Sequence, residues 1–353
     1  MAHPIHVGVD ARNLPRDRRG MGRYVRSVLR EFTTHFADRV QLTLLVPDLL
    51  PSLTRARYLS GLPEGIGIAR QATAADLRLD LVWYPWNGMT WVAPVRSVAT
   101  VHDVWPFVSP APDARVRARE QTQYRVAAER AAAIIAVSDF TKGELISRLS
   151  IAAQRIVVIP QGVPAPLTVS QPARVTGSKR YVLFVGEVEP RKDVRTLVAA
   201  MSSLPDELRR DTALVIAGRM QNAAAAWPRT DFNVVLTGEI ADDMKLAAWY
   251  AGAAAFVFPS RYEGFGLPVL EAMSYGAPVV ASDAASIPEA GGDAALYFPS
   301  GDVEALSAAL ALVLQDELLA ARMSEAGRVR AAQFDETTRA RRTLAVLEAA
   351  ARA

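Results

Sequence analysis

AAFVFPSRYEGFGLPVLEAMSYG, residues 254–276, reads as a strand, a turn and a helix in direct succession. AAFVFPS is a short apolar run of the kind that forms a buried strand. RYEGFG is the turn after it. LPVLEAMSYG is a helix stopped by Gly276, with Pro268 in its first turn, where a missing N–H does no harm. Gly264 and Gly266 let the backbone approach a ligand closely. The helix N-terminus adds partial positive charge, which favours phosphate. Two carboxylates frame this turn, Glu263 just before the helix and Glu271 about one turn into it. They suggest either acid/base chemistry or a clamp for something phosphorylated. Their positions do not suit a shared proton. Glu271 looks back toward the N-terminal end and can accept hydrogen bonds from vicinal hydroxyls, as a ribose offers. Glu263 can hold the hydroxyls of a sugar. The clamp sets a diphosphate over the helix terminus at Gly266 and Leu267, with the Gly264–Phe265 backbone beside Glu263 at the sugar. The plainer alternative is a capped surface helix with ordinary carboxylates.

The same strand–turn–helix pattern extends outward in both directions. IHVGVDA, QLTLLV, LDLVWY, SVATVHD, AIIAVS and RIVVIP read as buried strands in the front half, and helical stretches such as GRYVRSVLREFTTHF lie between most of them. PQGVPAPLTVSQPARVTGSK then breaks the periodicity and reads as a linker. The pattern restarts with YVLFVG, ALVIAG, NVVLTG, AAFVFPS, PVVAS and AALYF. The expected fold class is α/β, with two Rossmann-like doubly wound parallel-sheet domains facing across a cleft. The expected division is 1–165, a linker at 166–180, 181–335, and a terminal helix at 336–353 crossing back to the first domain. Ligands of such sheets sit beyond the carboxyl ends of the strands, and the motif residues fall there.

Composition bounds the alternatives. The 353 residues are half apolar and include no cysteine, which excludes disulfides and thiolate metal sites. No signal peptide is expected from the opening MAHPIHVGVDARN, and no apolar run reaches the roughly 18 residues of a membrane helix. A cytoplasmic location is expected. Residues 1–170 carry 21 Lys and Arg against 14 Asp and Glu, a net +7; the remainder carries 19 against 23, a net −4. A basic front half suits an anionic acceptor or peripheral contact with an acidic membrane surface at the inner face of the cytoplasmic membrane; an ordinary solvated surface is the alternative. No metal-ligand spacing, Ser–His–Asp spacing, phosphate-binding GxxxxGK[ST] or dinucleotide GxGxxG stands out, and no nucleic-acid partner is expected.

EGFGLPVLEAM, followed by GAPVVASD and IPEAGGDAALYFPSGD, resembles the retaining glycosyltransferases of family 4, which have the GT-B fold. GMGRYVRSVL, VATVHD, AVSDFTKGEL, VIPQGV and FVGEVEPRKDV fall in the family's order, so the resemblance runs most of the chain. The opening DARN…GMGRY and the form EPRKD are most similar to bacterial mannosyl- and rhamnosyl-transferases of surface polysaccharide assembly. The resemblance implies a nucleotide diphosphate sugar donor, GDP-mannose favoured, a glycan or lipid-linked acceptor, and neither metal nor cofactor.

The resemblance also assigns roles. In EPRKD, Lys192 and a nearby Arg hold the diphosphate; many relatives carry Arg where this chain has Glu187, so Arg191 is the substitute cation. Fixed cations can stabilise the charge that builds on the leaving group. His102 in VATVHD is implied to lie beside the donor sugar, lining the reacting face without acting as the base that activates the acceptor. Asp103 either orients it or caps the next helix. Gly22, Gly218 and Arg219 are implied near the diphosphate, Gly186 elsewhere in the donor site, and backbone groups of Gly238 and Ile240 at the nucleobase edge. Arg16, Arg18, Arg19 and Arg23 suit a phosphate-bearing acceptor. Tyr84 and Trp86, in VWYPWNGMTW, either stack on the acceptor or fill a core. Ser138 is read as a helix cap. Three rivals remain: a UDP-sugar enzyme of the same fold, a sugar-nucleotide epimerase, and a non-catalytic nucleotide-binding subunit.

Overall fold

The computed structural model describes residues 3–17, 20–47, 53–109, 113–220 and 230–353. The chain divides into two compact units, residues 1–162 with 336–353, and residues 163–335.

The first unit is built on seven parallel strands: β1 (Ile5–Asp10), β2 (Val40–Val46), β3 (Gly67–Arg70), β4 (Leu81–Tyr84), β5 (Arg96–Val101), β6 (Ala133–Ala136) and β7 (Ile156–Val158). Their spatial order is β3-β2-β1-β4-β5-β6-β7. The switch point, where the winding direction reverses, therefore lies between β1 and β4. Sequence runs placed six of these strands. The seventh, β3, reads GIAR; it is a half-buried edge strand. Covered by one neighbouring strand, it does not need the apolar run that marks a central strand.

The terminal helix Glu336–Arg352 is part of this unit's core. Ala340, Leu344 and Leu347 are wholly buried in the same cluster as Val25, Val28 and Phe32 of the helix Met21–His35. Arg39 holds Glu348 through a two-pronged contact of 2.8 and 2.9 Å, and Arg96 reaches the Ala350 carbonyl at 3.3 Å.

The second unit has six parallel strands: β8 (Arg180–Val185), β9 (Thr212–Ala217), β10 (Val234–Gly238), β11 (Ala255–Phe258), β12 (Val279–Ser282) and β13 (Ala295–Phe298). Their order is β10-β9-β8-β11-β12-β13, with the switch point between β8 and β11. The stretch read as a linker packs onto this unit. The Ala173 amide donates to the Ala248 carbonyl at 2.9 Å, and the Leu167 amide to the Tyr275 hydroxyl at 3.1 Å. No helix among the described residues is long and apolar enough to cross a membrane.

Candidate active site

The second switch point gathers charge. Past β8 the chain makes one tight turn, Pro190–Lys192, and enters the helix Val194–Ser202 through Asp193. Asp193 ties this loop to the one after β11, accepting from Arg261 Nε and from Thr196 Oγ1 at 2.8 Å each. The Arg261 amide also donates to the Arg191 carbonyl at 2.8 Å. These bonds hold Lys192 Nζ 2.5 Å from Glu263 Oε1, and the Arg191 guanidinium 3.7 Å from Glu263 Oε2. Lys192 also lies 5.2 Å over the Phe258 ring. Arg191 makes a further 2.7 Å pair with Glu189. Two cations and a nearly buried carboxylate thus share one locus, and Arg191 supplies the second positive charge.

The helix Leu267–Ser274 begins beside this cluster. Its N-cap is Gly266, at φ 106°, a left-handed conformation that side chains with a Cβ resist. Glu271 is buried on the second turn and accepts from the Tyr250 hydroxyl at 2.9 Å. Tyr250 in turn stacks on Tyr275 at 5.8 Å. The Glu271 carboxylate is therefore held in one orientation. Gly264 is buried, and Phe265 packs inward on Phe334 at 5.8 Å. Leu267 is half-buried at the helix start.

Beyond β9 and β10 lies a cavity of about 250 Å³, lined by Gly218, Arg219, Met220, Leu236, Gly238 and Glu239. Gly218 and Gly186 touch: a Cβ on Gly218 would sit 1.8 Å from the Gly186 carbonyl oxygen. Ile240 lies just past the lining, half-buried.

In the first unit His102 follows β5 and is buried. Its Nε2–H donates to the Pro85 carbonyl at 3.0 Å, and its Nδ1 accepts from the Gln161 amide at 3.2 Å. The ring is a neutral tautomer. Burial pulls its pKa from the ordinary 6.5 down to about 4; the positive charge of Arg339 adds to this, and the Pro85 bond opposes it. Arg339 lies 5.1 Å over Tyr24, whose ring meets His102 edge-on at 4.8 Å. Thus the terminal helix reaches the histidine through a tyrosine. Asp103 accepts from the Trp105 amide at 3.0 Å, one residue ahead of Val104, the N-cap of the helix Trp105–Val108. Ser138 caps the helix Asp139–Leu149, accepting from the Thr141 amide at 2.9 Å.

Two sequence expectations need correcting. Tyr84 and Trp86 present no stacking face, because both are core residues, 0 % and 1 % exposed. The Tyr84 hydroxyl accepts from the Ala93 amide at 2.9 Å, and Trp86 Nε1–H donates to the Asp10 carbonyl at 2.6 Å. Gly22 likewise offers no amide to a ligand. Its N–H donates to Asp17 Oδ2 at 3.0 Å, which places a carboxylate of the chain itself at that helix start. Arg16 is exposed and Arg23 half-buried; Arg18 and Arg19 lie outside the described residues.

Sequence reasoning missed Gln161, Asn87, Tyr24 and Arg339 around the histidine. Asn87 Oδ1 accepts from the His102 amide at 2.5 Å and holds a left-handed φ of 58°. Its Asn-Gly pairing with Gly88 is a turn signal that marked the position without revealing its partner. Among the described residues no group of three or more His, Asp or Glu is placed to hold a metal ion.

Comparison with known proteins adds an independent line. A family model described as Glycosyltransferase Family 4 matches residues 18–165, and one described as Glycosyl transferases group 1 matches residues 169–330. The chain is 36% identical over 256 residues to an O-antigen chain mannosyltransferase B of Escherichia coli, covering 68% of this chain and 66% of that one. It is 33% identical over 206 residues to the serotype-specific mannosyltransferase WbdA of Escherichia coli, covering 54% of this chain but 25% of that much longer one. Among solved structures it resembles a sucrose-phosphate synthase from Thermosynechococcus elongatus, with a TM-score of 0.73 at 20% identity, over 98% of both chains. That likeness is one of fold, the two Rossmann-like domains of GT-B. With both halves matched in order, the chain belongs to the glycosyltransferases, its front half to family 4 and its rear half to group 1.

Proposed function

We propose that this glycosyltransferase moves a hexose, mannose favoured, from GDP-mannose to a hydroxyl of a glycan or lipid-linked saccharide, with retention and without a metal. The observation that carries the proposal is the meeting of Lys192, Arg191 and Glu263 at the second switch point, beside a glycine-opened helix N-terminus. Such a locus suits a diphosphate: two cations plus oriented N–H groups. In this reading Glu271 takes the ribose hydroxyls. Glu263 takes the sugar hydroxyls once phosphate has drawn the cations away from it. The similarity to mannosyltransferases of O-antigen assembly supports the choice of sugar.

The proposed chemistry balances without an added base. The bond from the anomeric carbon to the diphosphate oxygen breaks. A bond from the same carbon to the acceptor oxygen forms on the same face. The acceptor proton passes to the departing diphosphate, whose growing charge Lys192 and Arg191 neutralise. A His102 that is neutral, with Nδ1 as an acceptor, can take a hydrogen bond from a sugar hydroxyl that displaces the Gln161 amide. The basic front half supports peripheral membrane contact and an anionic acceptor.

The test is a thermal-shift panel of GDP, UDP, ADP, dTDP and CDP with EDTA present, followed by transfer from the matching labelled sugar donor. Binding to the folded state alone raises the midpoint. A shift with GDP, then transfer from GDP-mannose unaffected by EDTA and with the anomeric configuration kept, is expected. A shift with UDP alone would replace the donor. Donor binding without turnover would favour a non-catalytic subunit, and conversion of the donor without acceptor an epimerase.

A further inference from the structure

The cavity beyond β9 and β10 carries more information than its place. The ladder between these strands slips at Thr237, between Leu236 and Gly238. Such a bulge ends pairing and re-aims the side chains that follow. Gly238 then turns left-handed, at φ 66°. The two features together set Glu239 into the cavity wall, where Arg219 Nε meets its carboxylate at 3.5 Å. Leu236, 45% exposed, leaves an apolar face at the same wall, beside Ile216 and Met220. The volume, about 250 Å³, falls below the roughly 300–1,000 Å³ of pockets for whole drug-sized ligands. It suits one flat ring system with a polar edge.

We infer that the Glu239 side chain selects guanine as the donor base by accepting from its Watson–Crick edge, with Arg219 as the counter-charge that orients the carboxylate. The inference rests on the nucleotide-sugar proposal and deepens it. A carboxylate only accepts hydrogen bonds. Guanine alone among the five bases sets two donors, N1–H and the 2-amino group, side by side for its two oxygens. Adenine and cytosine place their amino group beside a ring nitrogen that accepts. Uracil and thymine place N3–H between two carbonyl oxygens, which a carboxylate repels. The exposed Leu236 face lies where a ring can stack. The rival account is a plain surface ion pair, which contributes about 0–1 kcal/mol to stability and nothing to base choice.

Calorimetric titration with GDP, IDP and UDP separates the two accounts, since IDP differs from GDP only by the missing 2-amino group. The wild type is expected to bind GDP about tenfold more tightly than IDP, because the analogue leaves a charged acceptor unmatched. Glu239→Ala is expected to bring GDP and IDP to within about twofold while leaving UDP unchanged or tighter; Glu239→Gln, with one acceptor oxygen, falls between. Thermal midpoints of both variants should match the wild type, since the site is exposed. Equal binding of GDP and IDP by the wild type, tighter binding of UDP, or equal weakening of all three nucleotides by Glu239→Ala each overturns the role of Glu239 and leaves the glycosyl-transfer proposal standing. Absence of binding by every nucleotide overturns both.

Discussion

At the switch point of the first sheet an indole bridges the two strand ends. Trp86, just past β4, donates to the Asp10 carbonyl at the end of β1, and Arg12 reaches back to the Trp86 carbonyl at 3.4 Å. At the switch point of the second sheet the equivalent places hold Lys192 after β8 and Glu263 after β11, 2.5 Å apart. Topology gives both sheets the same crevice. Side chains decide its use. The first is closed by packing, and its neighbouring histidine is kept neutral by burial. The second keeps charges that are costly to bury alone, and Glu263 balances Lys192 and Arg191 there. Both crevices hold charge, but in different arrangements: Arg12 pairs with the buried Asp10 at 3.1 Å beneath the indole in the first unit, and two cations face one carboxylate in the second.

The largest effect should come from removing the charge itself. Lys192→Ala is expected to lower turnover about 10²–10³-fold, the range for losing one preorganised group aimed at developing charge. Because this also strands Glu263, the double variant Lys192→Met/Glu263→Gln should recover the thermal midpoint but not the activity. A loss below about threefold would move the diphosphate away from the second switch point. Gly218→Ala probes the contact between the ends of β8 and β9. Its Cβ would meet the Gly186 carbonyl at 1.8 Å, so a stability loss of about 2–3 kcal/mol in urea unfolding is expected. Unchanged stability would show that the β8 and β9 ends are free to separate.

Glu263→Gln sharpens the competition idea, with opposite signs in two assays. Turnover should fall about tenfold as the sugar contact weakens, while GDP binds more tightly because the cations lose their resident counter-charge. Weaker GDP binding would mean that Glu263 positions the cations rather than competing for them. A pH-dependent effect belongs to the first unit. His102 has a folded pKa near 4 against an ordinary 6.5, so below pH 6.5 the unfolded chain takes up a proton that the native state refuses. Its contribution is therefore present above pH 6.5 and is lost as pH falls toward 4, at no more than about 1.4 kcal/mol per pH unit. A His102→Gln variant should show a flatter midpoint-against-pH curve there; an identical curve would mean that the ring titrates normally.

Much of the architecture was legible because burial on both faces forces a parallel strand into a continuous apolar run, as in VLFV or FVF. The edge strand β3 lacks that requirement and went unread. The candidate residues Lys192, Glu263 and Glu271 were legible because they stand just after strands or at a helix start. Their grouping was not: Lys192 and Glu263 are 71 positions apart, and only the β8–β11 neighbourhood makes them partners. The aromatic cluster was ambiguous for a related reason. Composition places Trp and Tyr equally well in a core or on a sugar, and what packs over them decides.

By itself, the sequence determined the strand periods, the glycine-opened helix start and the supply of charge near strand ends, all of which are local properties of a few adjacent residues. Tertiary structure decided which cation faces which carboxylate, that Trp86 bridges one switch point, that Asp17 occupies the start of the helix Met21–His35, and that Arg339 reaches His102 through Tyr24. Each of these is a contact between distant segments. Its partner is set by strand order and helix packing, which no single stretch of sequence contains.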